Sequence, residues 1–214
     1  MSQRLVHRFA IVTGASRGLG RAVADAFVAE GATVVRAARS QGVDVSDPDQ
    51  VGRLFRDMRH LDVLVQCAGI LTPRKNVWEV TPEEWRTSTA VNLDGVFLCM
   101  REALRIMIRQ KYGLIVNVGS GVSNRPAPSW GPYATAKWGV EGLTKLAAEE
   151  AREYGVRIVS VNPGRMRTEM RAAAYPDEDP LTLKTPEDTA RFFVDLAAGD
   201  IPFTSGDLLQ VERK

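Results

Sequence analysis

The sequence predicts an α/β fold, a doubly wound parallel sheet with helices on both faces. Three observations carry this expectation. Short apolar runs of strand length alternate with helix-length segments along the chain. A glycine-rich turn links the first apolar run to the first helical segment. No repeat, low-complexity tract or change of composition divides the 214 residues, so 1–214 reads as a single domain long enough for a full core.

The elements follow in order. Phe9-Ala10-Ile11-Val12 is a short apolar run and reads as a buried strand. After the glycine turn, Arg21 to Glu30 reads as a helix with Ala22, Val23, Ala26 and Phe27 on one face and Gly31 as its stop. Ala32 to Ala38 is the second strand. Asp47-Pro48 supplies an N-cap and a first-turn proline for a helix running to about Met58. Asp62 to Val65 is the next strand. Thr81-Pro82-Glu83-Glu84 is a capping box that opens a helix to about Arg109. Ile115 to Val118 is a strand, and Gly131 to about Tyr154 holds a second long helix. Val156 to Val161 is a strand, Thr185-Pro186 starts the last helix, and Asp207 to Lys214 holds a last strand ending in charge.

The glycine turn is Thr13-Gly14-Ala15-Ser16-Arg17-Gly18-Leu19-Gly20. Glycines permit a tight turn and close backbone approach, and the helix amino end offers free N–H groups to a pyrophosphate. Nicotinamide sites that take NAD place an acidic residue at the end of the second strand. Ala38 stands there and Arg39 follows. Arg39, helped by Arg17 in the glycine loop, suits a 2′-phosphate through paired, charge-assisted hydrogen bonds. The expected cofactor is therefore NADP(H) rather than NAD(H).

Tyr133 and Lys137 are one helical turn apart, so their side chains share a face. An ammonium beside a phenol favours the phenolate. Bringing a tyrosine from its usual pKa of about 10 to near neutrality takes roughly 3–4 kcal/mol of differential interaction. Such a phenol exchanges a proton with an alcohol or a carbonyl at neutral pH. Ser120 follows the apolar run Leu114-Ile115-Val116-Asn117-Val118 and lies between Gly119 and Gly121, where it also suits a plain turn.

Taken together, these motifs resemble the short-chain dehydrogenase/reductase family, in the family's order and over nearly the whole chain. The fold implied is a Rossmann-type sheet. Asp44 in Val43-Asp44-Val45 is similar to the family's adenine-contacting aspartate, with Val45 beside it. Gln66-Cys67-Ala68-Gly69 stands where the family has Asn-Asn-Ala-Gly, so Cys67, Ala68 and Gly69 border the adenosine ribose. Asn92-Leu93-Asp94-Gly95 resembles the family's Asn-x-x-Gly, and Pro163, Gly164, Met166 and Thr168 its nicotinamide loop. The resemblance implies cofactor contacts from Gly14, Ser16, Arg17, Gly18, Leu19, Gly20, Arg39, Tyr133 and Lys137 as well. It implies that Ser120 orients the substrate oxygen and that Tyr133 is the general acid or base. It further implies that Lys137 lowers the tyrosine pKa and holds the ribose, and that Asn92 places a water that completes a proton relay.

Three departures stand out. Cys67 replaces an asparagine that ties strands together, which is expected to loosen the core locally. Only four residues separate Arg39 from Asp44, too few for the usual crossover helix. That helix is expected to be missing, with the third strand rudimentary or absent. The third is the carboxy terminus, where charge replaces the small-residue tail.

The remaining composition narrows the function. A net charge of +2 makes no case for nucleic acid. Cys67 and Cys99 read as reduced and buried, which suits the cytoplasm. His7 and His60 read as structural, with no metal-ligand cluster around either. Met1 to Arg8 is polar and unlike a signal peptide, and no stretch approaches a membrane span. The substrate pocket is expected to be lined by Ser120, Val122, Ser123, Trp130, Tyr133, Met166 and Met170, under a short lid from Arg165 to Thr185 whose Tyr175 to Pro180 stretch is a mobile loop. Arg165, Arg167 and Arg171 are either solvated or attract an acidic substrate or carrier. The resemblance implies a homodimer or homotetramer through the two long helices. Its general character is nearest to bacterial 3-oxoacyl-carrier-protein reductases, a likeness shared by many alcohol, sugar and steroid reductases. The expected function is NADP(H)-dependent hydride transfer between nicotinamide and a small-molecule carbonyl or secondary alcohol. The alternatives are a non-catalytic NADP(H) sensor of the same fold, or an epimerase or dehydratase, which would want a larger carboxy-terminal domain.

Overall fold

The computed structural model describes residues 3–211. Glu212, Arg213 and Lys214 of the charged terminus lie outside the described residues. Six parallel strands form one sheet in the order β2-β1-β3-β4-β5-β6. They are β1 (Phe9–Thr13), β2 (Thr33–Ala37), β3 (Val63–Gln66), β4 (Gly113–Val118), β5 (Val156–Asn162) and β6 (Leu208–Gln210). The helices are α1 (Gly18–Ala29), α2 (Pro48–Phe55), α3 (Pro82–Thr89), α4 (Gly95–Gln110), α5 (Gly131–Glu150), α6 (Glu169–Ala174) and α7 (Pro186–Ala198).

The strands read as continuous apolar runs because helices cover both faces of a parallel sheet. Successive residues point to opposite sides. Val12 joins Phe27, Val161 and Phe193 on the side of α1 and α7. Its neighbour Ile11 joins Leu64, Met100, Ile115 and Val140 on the side of α2, α4 and α5. The chain leaves β1 toward β2 on one side and returns to β3 on the other. That reversal opens a crevice at the carboxyl ends of the strands.

The short link after β2 behaves as its length requires. Arg39–Gln41 makes one 3-10 turn, closed by Gly42 at φ 75°. Val43 to Val45 joins no ladder, so β2 is an edge strand and the third strand is absent. Side-chain caps begin the helices where the sequence places them. Asp47 accepts from the N–H groups of Asp49 and Gln50, and Thr81 with Glu84 and Thr185 with Asp188 form capping boxes.

Two expectations need correction. The helix opened at Thr81 is not uniform: Ala90–Asp94 is a π-helical turn between α3 and α4. Next to Cys67, Gln66 supplies a tie between strands. Gln66 Nε2 donates to Val96 O at 3.1 Å and to Asn117 Oδ1 at 3.0 Å. Asn117 Nδ2 donates to Thr144 Oγ1 at 2.8 Å, which donates to Val140 O at 2.7 Å. One buried chain of amides and hydroxyls thus ties β3 and β4 to α4 and α5. Both cysteines are free, but only Cys99 is buried; Cys67 is half-buried on the cleft.

Candidate active site

The carboxyl ends of the central strands border one cleft of about 2070 Å³. At one end lies the glycine turn. Gly14 has φ 66°, and a Cβ there would lie 2.7 Å from the Ala68 backbone. A Cβ on Gly20 would lie 2.4 Å from Gly14 O. Side chains are therefore excluded where the turn packs against the end of β3. No side chain caps α1, and its first turn holds no acidic residue. Exposed N–H groups and the positive end of the helix dipole remain, which fits a pyrophosphate. Gly14, Ser16, Arg17, Gly18, Leu19, Gly20, Arg39, Asp44, Val45, Cys67, Ala68 and Gly69 all line this half of the cleft.

The two arginines expected to take a 2′-phosphate are already paired. Arg39 Nε donates to Asp44 Oδ2 at 2.8 Å, and Arg17 Nη1 to Glu169 Oε2 at 2.5 Å. Asp44 thus supplies Arg39 with a carboxylate partner on this side of the cleft. Burial alone would raise the Asp44 pKa, but hydrogen bonds from Ser46 and the Arg39 guanidinium together hold it below its usual range.

The second half of the cleft is built by the β4 end and the first turns of α5. The Ser120 hydroxyl lies beside the Tyr133 hydroxyl and favours its charged form. Lys137 is buried, and its Nζ donates to Val118 O at 2.7 Å. It lies 5.8 Å from the centre of the Tyr133 ring. The expected lowering of the Tyr133 pKa is not realised by the chain itself. Burial raises it, and only the nearby Ser120 hydroxyl opposes the rise. Removing water from around a phenolate costs more here than Ser120 returns, and the Lys137 ammonium is turned toward Val118. Burial in turn pulls Lys137 down to about 8.

Asn92 sits in the π-helical turn, fully buried. Its Oδ1 accepts from Ile70 N at 3.0 Å, and its Nδ2 donates to Ile70 O at 3.0 Å and to Ser88 Oγ at 3.1 Å. Its amide therefore pins the segment after β3, and it does not line the cleft. On the opposite wall Asn162 Oδ1 accepts from Gly164 N at 3.1 Å, which sets the turn through Pro163 and Gly164. Met166 forms a β-bridge with Lys184. Thr168 caps α6, and its methyl lies 3.5 Å from where a Gly18 Cβ would be.

Val122, Trp130, Met166 and Met170 line the cleft beside Tyr133, but Ser123 does not. Ser123 is buried, and its Oγ accepts the Ser120 N–H at 2.9 Å. The Tyr175 to Pro180 stretch is pinned, contrary to the mobile loop expected. Arg171 makes a two-pronged pair with Glu178 at 2.5 and 2.7 Å and stacks on the Tyr175 ring at 3.7 Å. Arg74 donates to Ala174 O at 3.1 Å. Arg165 also faces Glu178, at 3.7 Å, and Arg167 donates to Pro180 O at 2.9 Å. Two residues escaped the sequence reading: Tyr175, whose ring lies 6.1 Å from Trp130, and the buried Glu141. The signal for Glu141 was its place one turn after Lys137.

A glycine turn at a helix amino end and a serine, tyrosine and lysine group share one cleft of a parallel sheet. Together they define a dinucleotide-binding α/β protein of the oxidoreductase class. The family model for short chain dehydrogenase matches residues 8–43 and 41–179, and the chain belongs to that family. It is 31% identical to the 3-oxoacyl-[acyl-carrier-protein] reductase of Vibrio harveyi, covering 95% of each chain. It is 30% identical to the NADPH-dependent pterin aldehyde reductase of Arabidopsis thaliana, covering 90% of each. The structure of a short chain dehydrogenase from Shigella flexneri complexed with NADP superposes with a TM-score of 0.90 at 27% identity, over 98% of this chain and 99% of that one. Among the described residues no group of three His, Cys, Asp or Glu is placed to hold a metal, and no helix is long and apolar enough to cross a membrane.

Proposed function

We propose that this protein is an NADP(H)-dependent carbonyl reductase, acting on a small-molecule ketone or aldehyde or, in reverse, on a secondary alcohol. The observation that carries this reading is the placement of Ser120 beside Tyr133, with buried Lys137 one turn further on, in the cleft that also holds the glycine turn. The glycine turn and α1 amino end would hold the pyrophosphate, and Arg17 and Arg39 the 2′-phosphate. The preference for NADP(H) rests on those two arginines, with Asp44 and Glu169 as their partners when the phosphate is absent.

A bound nicotinamide dinucleotide supplies the hydride, and the chain supplies position and a proton. Ser120 donates to the substrate oxygen and orients it. In reduction, Tyr133 gives its proton to that oxygen, and in oxidation it takes the proton back. A phenol that burial keeps protonated suits the reductive direction. Lys137 places a positive charge beneath the tyrosine, and Asn92 holds the segment on which the cleft floor rests.

Two further parts of the reading concern setting. Phe97, Trp138 and Leu146 are exposed at 45%, 49% and 58% on α4 and α5. Apolar surface of this kind on the two long helices supports a homodimer or homotetramer there. The free thiols fit a reducing compartment such as the cytoplasm.

The experiment is to mix the protein with NADPH or NADH and a broad panel of carbonyls and follow loss of nicotinamide absorbance. Turnover with NADPH is expected. Tight NADPH binding with no turnover on any carbonyl would favour a sensor.

A further inference from the structure

Beneath the loop that carries Ser120 lies a carboxylate with no part in the chemistry above. Glu141, on α5, is 9% exposed. Ser160 Oγ on β5 donates to its Oε1 at 2.7 Å, and the nearby Ser123 hydroxyl also favours its charged form. Ser123 Oγ in turn accepts the Ser120 N–H at 2.9 Å, while Ser123 N donates to Ser120 O at 2.9 Å. The packing is close: a Cβ on Gly119 would lie 2.6 Å from Glu141 Oε1 and 2.7 Å from Ser160 Oγ.

A serine hydroxyl rotates freely and can donate to many acceptors. Here the carboxylate removes that freedom. A buried carboxylate accepts only, so Ser123 must turn its proton toward Glu141 and its lone pair toward the Ser120 N–H. The charge is costly to bury. Two hydroxyl groups and the ammonium groups of Lys137 and Lys145 offset part of that cost, and burial still leaves the Glu141 pKa raised. An apolar residue would fill the same space without it, so the packing alone does not explain the choice of glutamate.

We propose that Glu141 is a positioning residue for Ser120, acting through Ser123 and anchored by Ser160. It holds the backbone of the β4–α5 loop so that the Ser120 hydroxyl stays against Tyr133. This rests on the reading of Ser120 and Tyr133 as the substrate-facing pair, and the test separates the two.

The test compares Glu141→Gln, Glu141→Leu and Ser123→Ala in the full-length protein. Glutamine keeps an acceptor oxygen for Ser123, and leucine keeps only volume. Two readouts are taken: steady-state carbonyl reduction and hydrogen exchange at the Ser120 amide. In Glu141→Leu and Ser123→Ala, kcat is expected to fall about tenfold or more, since small displacements at a reacting centre are costly. Exchange at the Ser120 amide is expected to accelerate by about tenfold or more in the same two variants, as a local opening would allow. NADPH affinity, read from quenching of tryptophan fluorescence, should remain within about twofold in all three, since no cofactor contact is touched. Glu141→Gln should restore both the exchange protection and most of the rate. Should Glu141→Leu fail to fold, Ser123→Ala, a milder change, carries the comparison. Wild-type protection at Ser120 in Ser123→Ala, or equal losses in the Gln and Leu variants, would overturn the assignment. If wild type reduces no carbonyl at all, the catalytic reading fails, and the exchange data still decide whether Glu141 fixes Ser120.

Discussion

Lys137 Nζ donates to the carbonyl of Val118 at 2.7 Å, although Tyr133 is only one helical turn away. The ammonium is thereby anchored to the end of β4. Its Nζ lies 5.8 Å from the centre of the Tyr133 ring. Its own burial has a measurable consequence.

The Lys137 pKa falls from 10.5 to about 8 because burial disfavours the charged form. A folded-state pKa below the unfolded value means that the folded state holds its proton less firmly. The stability penalty is complete below pH 8, on the order of 3 kcal/mol at about 1.36 kcal/mol per unit. It is relieved as pH rises from about 8 toward 10.5 and is gone above that. Lys137→Met removes this penalty but strands the Val118 carbonyl, at a cost of about 1–3 kcal/mol that does not vary with pH. Relative to wild type, the variant should therefore be at its most stable at neutral pH and lose that advantage by pH 10. Urea unfolding of both proteins at the two pH values checks this. A difference independent of pH would mean that the lysine is buried without penalty.

The same variant and Tyr133→Phe test the proton donor. A positioned acid contributes about 10²–10⁴ in rate. Tyr133→Phe should lower kcat for carbonyl reduction by about that factor while NADPH still binds. Phenylalanine keeps the ring against Trp130, now 5.6 Å away, so the wall of the cleft is preserved. Reduction at the wild-type rate by this variant would remove Tyr133 from the chemistry.

The order of elements was legible because each signal is local. Caps, glycine stops and apolar runs depend on residues adjacent in the chain. The missing crossover helix was legible too, since four residues between Arg39 and Asp44 cannot span one. What lay beyond the sequence were effects of distance and burial. The π-helical turn at Asn92 arises inside a pattern that reads as continuous helix. The direction of the Tyr133 shift depends on how much water is excluded, and the Lys137 anchor on a carbonyl that no residue type announces. Glu141 carried the right spacing, but its meaning comes from Ser123 and Ser160, which only the fold brings to it.

Cofactor choice should answer to the two surface pairs. On the proposed reading, Glu169 would compete with a 2′-phosphate for Arg17, and Asp44 would do so for Arg39. Charge-assisted hydrogen bonds contribute about 1.5–3 kcal/mol, or roughly tenfold to a hundredfold in affinity. Arg39→Ala should weaken NADPH by about tenfold and leave NADH nearly unchanged. Glu169→Gln frees Arg17 and should tighten NADPH by a few-fold, a smaller gain because exposed pairs are weak. Titrations with both nucleotides decide it. Equal losses for NADH and NADPH in Arg39→Ala would show that this arginine does not read the phosphate.

The last prediction concerns the buried amide chain. Gln66 sits one residue before the half-buried Cys67, and its side chain bridges Val96 O and Asn117 Oδ1. Leucine at 66 would pack similarly but leave Asn117 Oδ1 without that donor in a dry interior. An unsatisfied buried group costs about 1–3 kcal/mol, so Gln66→Leu should lose about 2 kcal/mol in urea unfolding. Asn117→Ala should lose at least as much, because it takes one partner each from buried Gln66 Nε2 and fully buried Thr144 Oγ1. The double variant should lose less than the sum, since both changes break one chain of bonds. Strict additivity would mean that the two amides act separately, and the tie between β3 and β4 would then have to come from the backbone ladder alone.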